Sequence, residues 1–140
     1  MVSGAQAAAI QGHWNSKVQP NMQAVGNALF LKYFAANPAD KAHFKKFASV
    51  PDSGLAGNAD FNAQTLVVMQ YFDKMVAGLT SNAADLMKAQ VAPHKARNVG
   101  APEFGRMLNF IPGFIGENGG DGACVDAWKA AGAELLSVCK

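Results

Sequence analysis

His94 stands in the string Pro93-His94-Lys95-Ala96-Arg97, at the end of an amphipathic segment and just before a basic loop. A neutral imidazole so placed can hold a transition metal through one ring nitrogen while a hydrogen bond orients the other. A lone histidine is more often a surface or capping residue, and His13 and His43 read as no more than that. Gln64 puts an amide on an otherwise apolar helical face. It brings two N–H donors and does not titrate near neutral pH; its plain alternative is a boundary residue reaching solvent. Pro38 is followed by Phe44 and Phe47, two rings that by themselves could do no more than fill a core. Each feature alone is weak evidence. A flat apolar metal complex would need a neutral imidazole on the metal, a large apolar slot and some control of the opposite face.

Such residues need rigid elements to carry them, and the patterning supplies helices. Apolar residues recur at helical spacing through Ala-, Leu-, Met- and Gln-rich stretches, and no Asn-Gly or Asp-Gly turn joins two alternating segments. A first helix is expected from Gly4 to Lys17, capped by Ser3, with Ile10, Trp14 and Val18 inward. Pro20 precedes a second from about Met22 to Ala36, burying Val25, Leu29, Phe30, Tyr33 and Phe34. Asn37-Pro38 ends it, because the residue before proline avoids the helical region. A short helical turn then reaches Phe44, and 48–57 reads as a loop. The longest periodic segment, Asn58 to Leu79, aligns Phe61, Val68, Phe72 and Met75, with Gln64 and Thr65 interrupting that face. Ser81 or Asn82 caps a helix reaching about His94. Pro102 and Glu103 open another that aligns Phe104, Leu108, Ile111 and Phe114, with a kink or break expected at Pro112. A glycine-rich turn, Gly116 to Gly122, leads to a last helix from Ala123 to Cys139.

These elements amount to an all-α fold of six to eight helices, read as a single domain over residues 1–140. Hydrophobic residues make up 50% of the chain and charged residues 16%, a balance that leaves apolar surface to line a pocket. The net charge of +2 is too small and too scattered for a nucleic-acid binder. No apolar run of membrane-spanning length exists, and no signal peptide is visible, although a mature chain would look the same. Cys124 and Cys139 lie fifteen residues apart. On one straight helix that is roughly 22 Å, too far to bridge. They are inert thiols or the halves of an intermolecular disulfide.

In joint order and spacing these residues resemble the globin family, and invertebrate globins of molluscan, annelid or insect type in particular, over essentially the whole chain. Trp14 is similar to the tryptophan of the family's first helix, and Trp128 to that of its last. Pro38, Phe44 and Phe47 resemble the proline and two phenylalanines of its third helix and following corner. Twenty residues separate Phe44 from Gln64, and thirty separate Gln64 from His94, as in relatives with a shortened corner. The string His94-Lys95-Ala96-Arg97-Asn98-Val99 is similar to the proximal segment of clam and midge haemoglobins.

The resemblance implies haem b (iron protoporphyrin IX) as cofactor and His94 as its iron ligand. The second ring nitrogen of His94 would donate to a backbone carbonyl near Gln90. Two departures touch that helix: Gln90 is polar where relatives are apolar, and Pro93 removes a backbone donor. Phe44 is expected to wedge the porphyrin, with Phe47, Val68, Val99, Phe104 and Leu108 along the slot and Arg97 toward a propionate. On the distal side the resemblance implies Gln64, Val68 and Phe30. A Gln64 N–H donated to dioxygen, which gains partial negative charge on binding, is worth about 0.5–1.5 kcal/mol, roughly three- to tenfold in affinity.

The function so implied is a carrier: storage or transport of dioxygen, with other diatomic gases as further ligands, and not an enzyme. The alternatives are peroxidase-like, nitric-oxide dioxygenase or sulfide-binding activity. Fast peroxide cleavage needs a proton-shuttling base, which Gln64 cannot be. A cage for sulfide would want a further aromatic where Val68 stands. A non-haem interaction domain on the same fold would leave Phe30, Phe44 and His94 as packing residues. The expected location is the cytoplasm of tissue or blood cells, with haemolymph open if a signal has been removed. Pairing into a homodimer also stays open.

Overall fold

The first helix begins where its first amide groups find acceptors. Ser3 Oγ accepts from Gln6 N at 3.1 Å, and Gln6 Oε1 accepts from Ser3 N at 2.8 Å. This reciprocal cap, worth about 1 kcal/mol, starts α1 at Gly4–His13. From Trp14 the helix widens into a π-helical turn, Trp14–Val18, followed by a 3-10 turn, Gln19–Asn21. The plain α-helix expected as far as Lys17 therefore changes pitch. Gln19 N closes the wider ring on Trp14 O, and Pro20, which has no N–H, cannot extend an α ladder beyond it. Ile10, Trp14 and Val18 are all buried as expected.

The computed structural model describes residues 2–140. Among the described residues there is no strand, and eight α-helices follow in order. After α1 come α2 (Met22–Ala36), α3 (Asp52–Leu55), α4 (Ala59–Ala77), α5 (Ala83–Ala89), α6 (Val91–Lys95), α7 (Ala101–Glu117) and α8 (Gly122–Ser137). Asn37 ends α2, and Pro38 opens a 3-10 helix, Pro38–His43. Helix α3 lies in the stretch read as loop. Its buried Leu55 and a clasp from Lys41, which donates to Val50 O and pairs with Asp52 Oδ1 at 2.9 Å, explain the turn of order there. Helix α7 runs on through Pro112 instead of breaking. The carbonyl that Pro112 cannot serve, Leu108 O, lies where a Cβ on Gly132 of α8 would approach to 3.4 Å.

The helices form two compact units. One comprises the residues up to Pro20 together with Asp73–Lys140; the other is Asn21–Phe72. In the first, α1 packs on α8, with Trp14 and Trp128 tilted 45° at 5.9 Å, and α7 packs on α8. Trp14 Nε1 donates to Asp73 Oδ1 at 2.9 Å, so its polar edge is satisfied in the core. In the second, α2 crosses α4 at Gly26. A Cβ there would stand 2.6 Å from Met69 Cγ and 3.4 Å from Thr65 O, so only glycine permits the approach. Among the described residues no helix is long and apolar enough to cross a membrane.

Candidate functional site

His94 owes its orientation to a proline. Pro93 has no N–H for Ala89 O, and its ring crowds that carbonyl, so the helix is interrupted at Gln90 between α5 and α6. Gln90 N turns to Met87 O at 3.0 Å. Gln90 O then accepts twice from His94, from its backbone N at 3.2 Å and from its ring Nδ1 at 2.6 Å. A carbonyl only accepts, so Nδ1 carries a proton, and in the neutral ring the lone pair is then on Nε2. Nε2 makes no hydrogen bond to any described residue. The polar Gln90 side chain does not disturb this geometry, because the backbone carbonyl does the work.

The chain reverses directly after His94. Val99 N donates to His94 O at 2.9 Å and Asn98 N to Lys95 O at 3.0 Å, while Asn98 sits at φ 62°. This is a Schellman ending with Asn98 in the left-handed position that asparagine tolerates and most residues do not. It brings Val99 back past the histidine's own turn. The His94 ring meets Phe104 at 5.0 Å and 61°. Val99 and Phe104 are half-buried, Leu108 is buried, and Arg97 is exposed without a partner among the described residues.

In the Asn21–Phe72 unit the other expected residues gather around an aromatic cluster. Phe44 stacks on Phe47 at 5.3 Å and 13°, and meets Phe30 edge-on at 6.2 Å. Phe34, read from the sequence only as core, sits among them and contacts Phe30, Phe44 and Phe47 within 6.3 Å. Tyr33 closes the corner by donating to the buried carboxylate of Asp40. Phe30 and Phe47 are buried, whereas Phe44 retains exposed ring surface. On α4, Gln64 and Val68 lie one turn apart and are both half-buried. The Gln64 amide makes no hydrogen bond to a described residue.

The structure thus places Phe30, Phe44 and Phe47 together, and His94 with Phe104. Gln64, Val68, Arg97, Val99 and Leu108 are located by their burial. Sequence reasoning missed Asn98 and Phe34 as parts of these groups. The signal for Asn98 was present, an asparagine just beyond a helix end.

A globin family model matches residues 27–139. The chain belongs to the globin family. This globin is 31% identical to Globin CTT-IV of Chironomus thummi thummi over 114 residues, 79% of this chain and 73% of that one. Its fold matches the hemoglobin of the botfly Gasterophilus intestinalis with a TM-score of 0.86 at 18% identity, covering 98% of this globin and 95% of that chain. It matches a double mutant of the myoglobin of Aplysia limacina with a TM-score of 0.90 at 16% identity, covering 99% and 97%. Globins typically bind haem, and the residues present fit one. In the His94 unit they offer an imidazole Nε2 and an Arg97 guanidinium without partners among the described residues, beside half-exposed Val99 and Phe104; in the other unit Phe44 and Val68 are half-exposed.

Proposed function

We propose that this globin holds one haem b through His94 Nε2 and carries dioxygen reversibly, as a storage or transport protein with residues 1–140 acting as one domain. The reading rests on the His94 imidazole, whose Nδ1 is tied to Gln90 O at 2.6 Å while its Nε2 has no hydrogen-bond partner among the described residues. That arrangement selects the tautomer a metal needs and holds the ring against rotation. When bound, haem supplies an iron centre able to take up a diatomic gas.

The protein's part is to bind, orient and exclude water. Phe44 and Phe47 would wedge the macrocycle, Val68, Val99, Phe104 and Leu108 would line its slot, and Arg97 would pair with a propionate. Gln64 would donate an amide N–H to a partly negative gas ligand, with Phe30 and Val68 limiting the space beside it. An amide cannot shuttle a proton in neutral solution, which favours carriage of a gas over peroxide cleavage. Visible spectra of the deoxy, oxy and ferric forms test the reading in one series. Reversible conversion between deoxy and oxy spectra is expected, with loss of both in His94→Ala and partial return on adding imidazole. A His94→Ala protein with unaltered haem affinity and gas binding would overturn it.

A further inference from the structure

Four polar side chains meet where α2 and α4 cross. Asn27 Nδ2 donates to Asn62 Oδ1 at 2.6 Å, and Thr65 Oγ1 donates to Asn27 Oδ1 at 2.6 Å. Gln23 Nε2 reaches Asn27 Oδ1, Thr65 Oγ1 and Asn62 O, each at 3.0 Å. Asn62 Nδ2 extends the chain of bonds to Ala56 O at 3.1 Å, ahead of α4. Thr65 is fully buried, at 0% exposure.

Apolar residues would pack two helices together without the cost of desolvating four polar groups. What a satisfied polar network adds is a single register, because sliding one helix breaks several bonds at once. The place where this register is fixed is telling. Asn62 and Thr65 flank Gln64 on α4, and Asn27 stands one turn before Phe30 on α2. The Gln64 amide has no partner among the described residues, so the position of the α4 backbone decides where that amide can reach. Hydrogen bonds weaken steeply beyond about 3.2 Å, so a shift on the order of 1 Å would lose one.

We propose that Gln23, Asn27, Asn62 and Thr65 are positioning residues that lock α2 and α4 in one register, and thereby set the placement of Gln64 relative to Phe30 on the gas-binding side. The proposal rests on the reading of Gln64 as the residue that donates to the gas.

The test compares haem-loaded wild type, Thr65→Val, Thr65→Ser, Gln64→Leu and the Gln64→Leu/Thr65→Val double variant. Two quantities are measured: the carbonyl stretching band of the carbon monoxide complex and the dioxygen dissociation rate. The band reports donation to the gas and is not moved by a loss of stability alone. Thr65→Val is expected to shift or split the band toward that of Gln64→Leu and to raise the dissociation rate roughly two- to tenfold. Thr65→Ser, which keeps the hydroxyl, should restore both, and Thr65→Val should add nothing in the Gln64→Leu background. If Gln64→Leu moves the band and Thr65→Val does not, the positioning role is overturned while the reading of Gln64 stands. If Gln64→Leu itself is silent, that reading falls and the positioning role falls with it. Should Thr65→Val not fold, Gln23→Met, at the half-buried edge of the cluster, answers the same question.

Discussion

At the scale of single residues, two positions carry consequences out of proportion to their size. Gln64 presents an amide with no hydrogen-bond partner among the described residues. Removing the donor in Gln64→Leu is expected to speed dioxygen dissociation about three- to tenfold, measured by stopped flow, with the on-rate changed less. Because an amide does not titrate, autoxidation of the wild type should rise only weakly on the acid side, and Gln64→His should introduce a steeper rise below roughly pH 6.5. A steep wild-type profile that becomes flat in Gln64→Leu would count against this. Asn98 matters through its backbone, at φ 62° beside the turn that carries His94. Asn98→Ala should cost about 1 kcal/mol in urea unfolding, and Asn98→Gly should be close to neutral. Equal stability for all three would show that the left-handed position is not held in solution.

At the scale of elements, local pattern and observed boundary agree where a strong stop or start signal stands. Met22–Ala36 ends one residue before Asn37-Pro38, and Ser3 with Gln6 opens α1. They disagree where contacts distant in sequence intervene. Pro112 reads as a kink or a break, and α7 does not break there but passes through it as α8 packs alongside. Residues 52–55 read as loop, yet buried Leu55 and the Lys41–Asp52 pair hold a helical turn. The crossing of α2 and α4 is the tightest prediction at this scale. Gly26→Ala would push a methyl to 2.6 Å from Met69 Cγ, inside a side chain only 1% exposed. A loss of about 1–3 kcal/mol is expected, seen as a lower urea midpoint at unchanged slope. A more stable Gly26→Ala protein would mean that helix propensity outweighs the close approach.

At the scale of the whole molecule, the two cysteines report on burial. Both are buried, at 2% and 7% exposure, which favours inert thiols over the intermolecular disulfide. Burial raises both thiols above the ordinary value of 9.0, and at Cys124 the Asp121 carboxylate adds to the shift. The folded state therefore keeps these protons after the unfolded chain has begun to lose them. The stability this gives is fully present below about pH 9 and is lost as pH climbs from there through the raised values. Native protein at pH 8 should leave both thiols unreactive toward Ellman's reagent and should react fully once unfolded. Prompt reaction of either thiol in the native protein would contradict the burial of Cys124 in α8 and of Cys139 just beyond it.

The linear chain already carried the helical class, most element boundaries, and the ordered spacing of Phe44, Gln64 and His94, since these follow from periodicity and from the local rules of proline and of helix caps. The expectation that His94 is a ligand arose only from its place in that spacing. What needed the folded chain was every relation between elements far apart in sequence. The bonds of Gln23 and Asn27 to Asn62 and Thr65, the placing of Phe34 among the rings of the corner, and the passage of α7 through Pro112 are examples. Such contacts depend on which helix faces meet and how closely, and a crossing set by one glycine leaves no periodic mark in the amino-acid order.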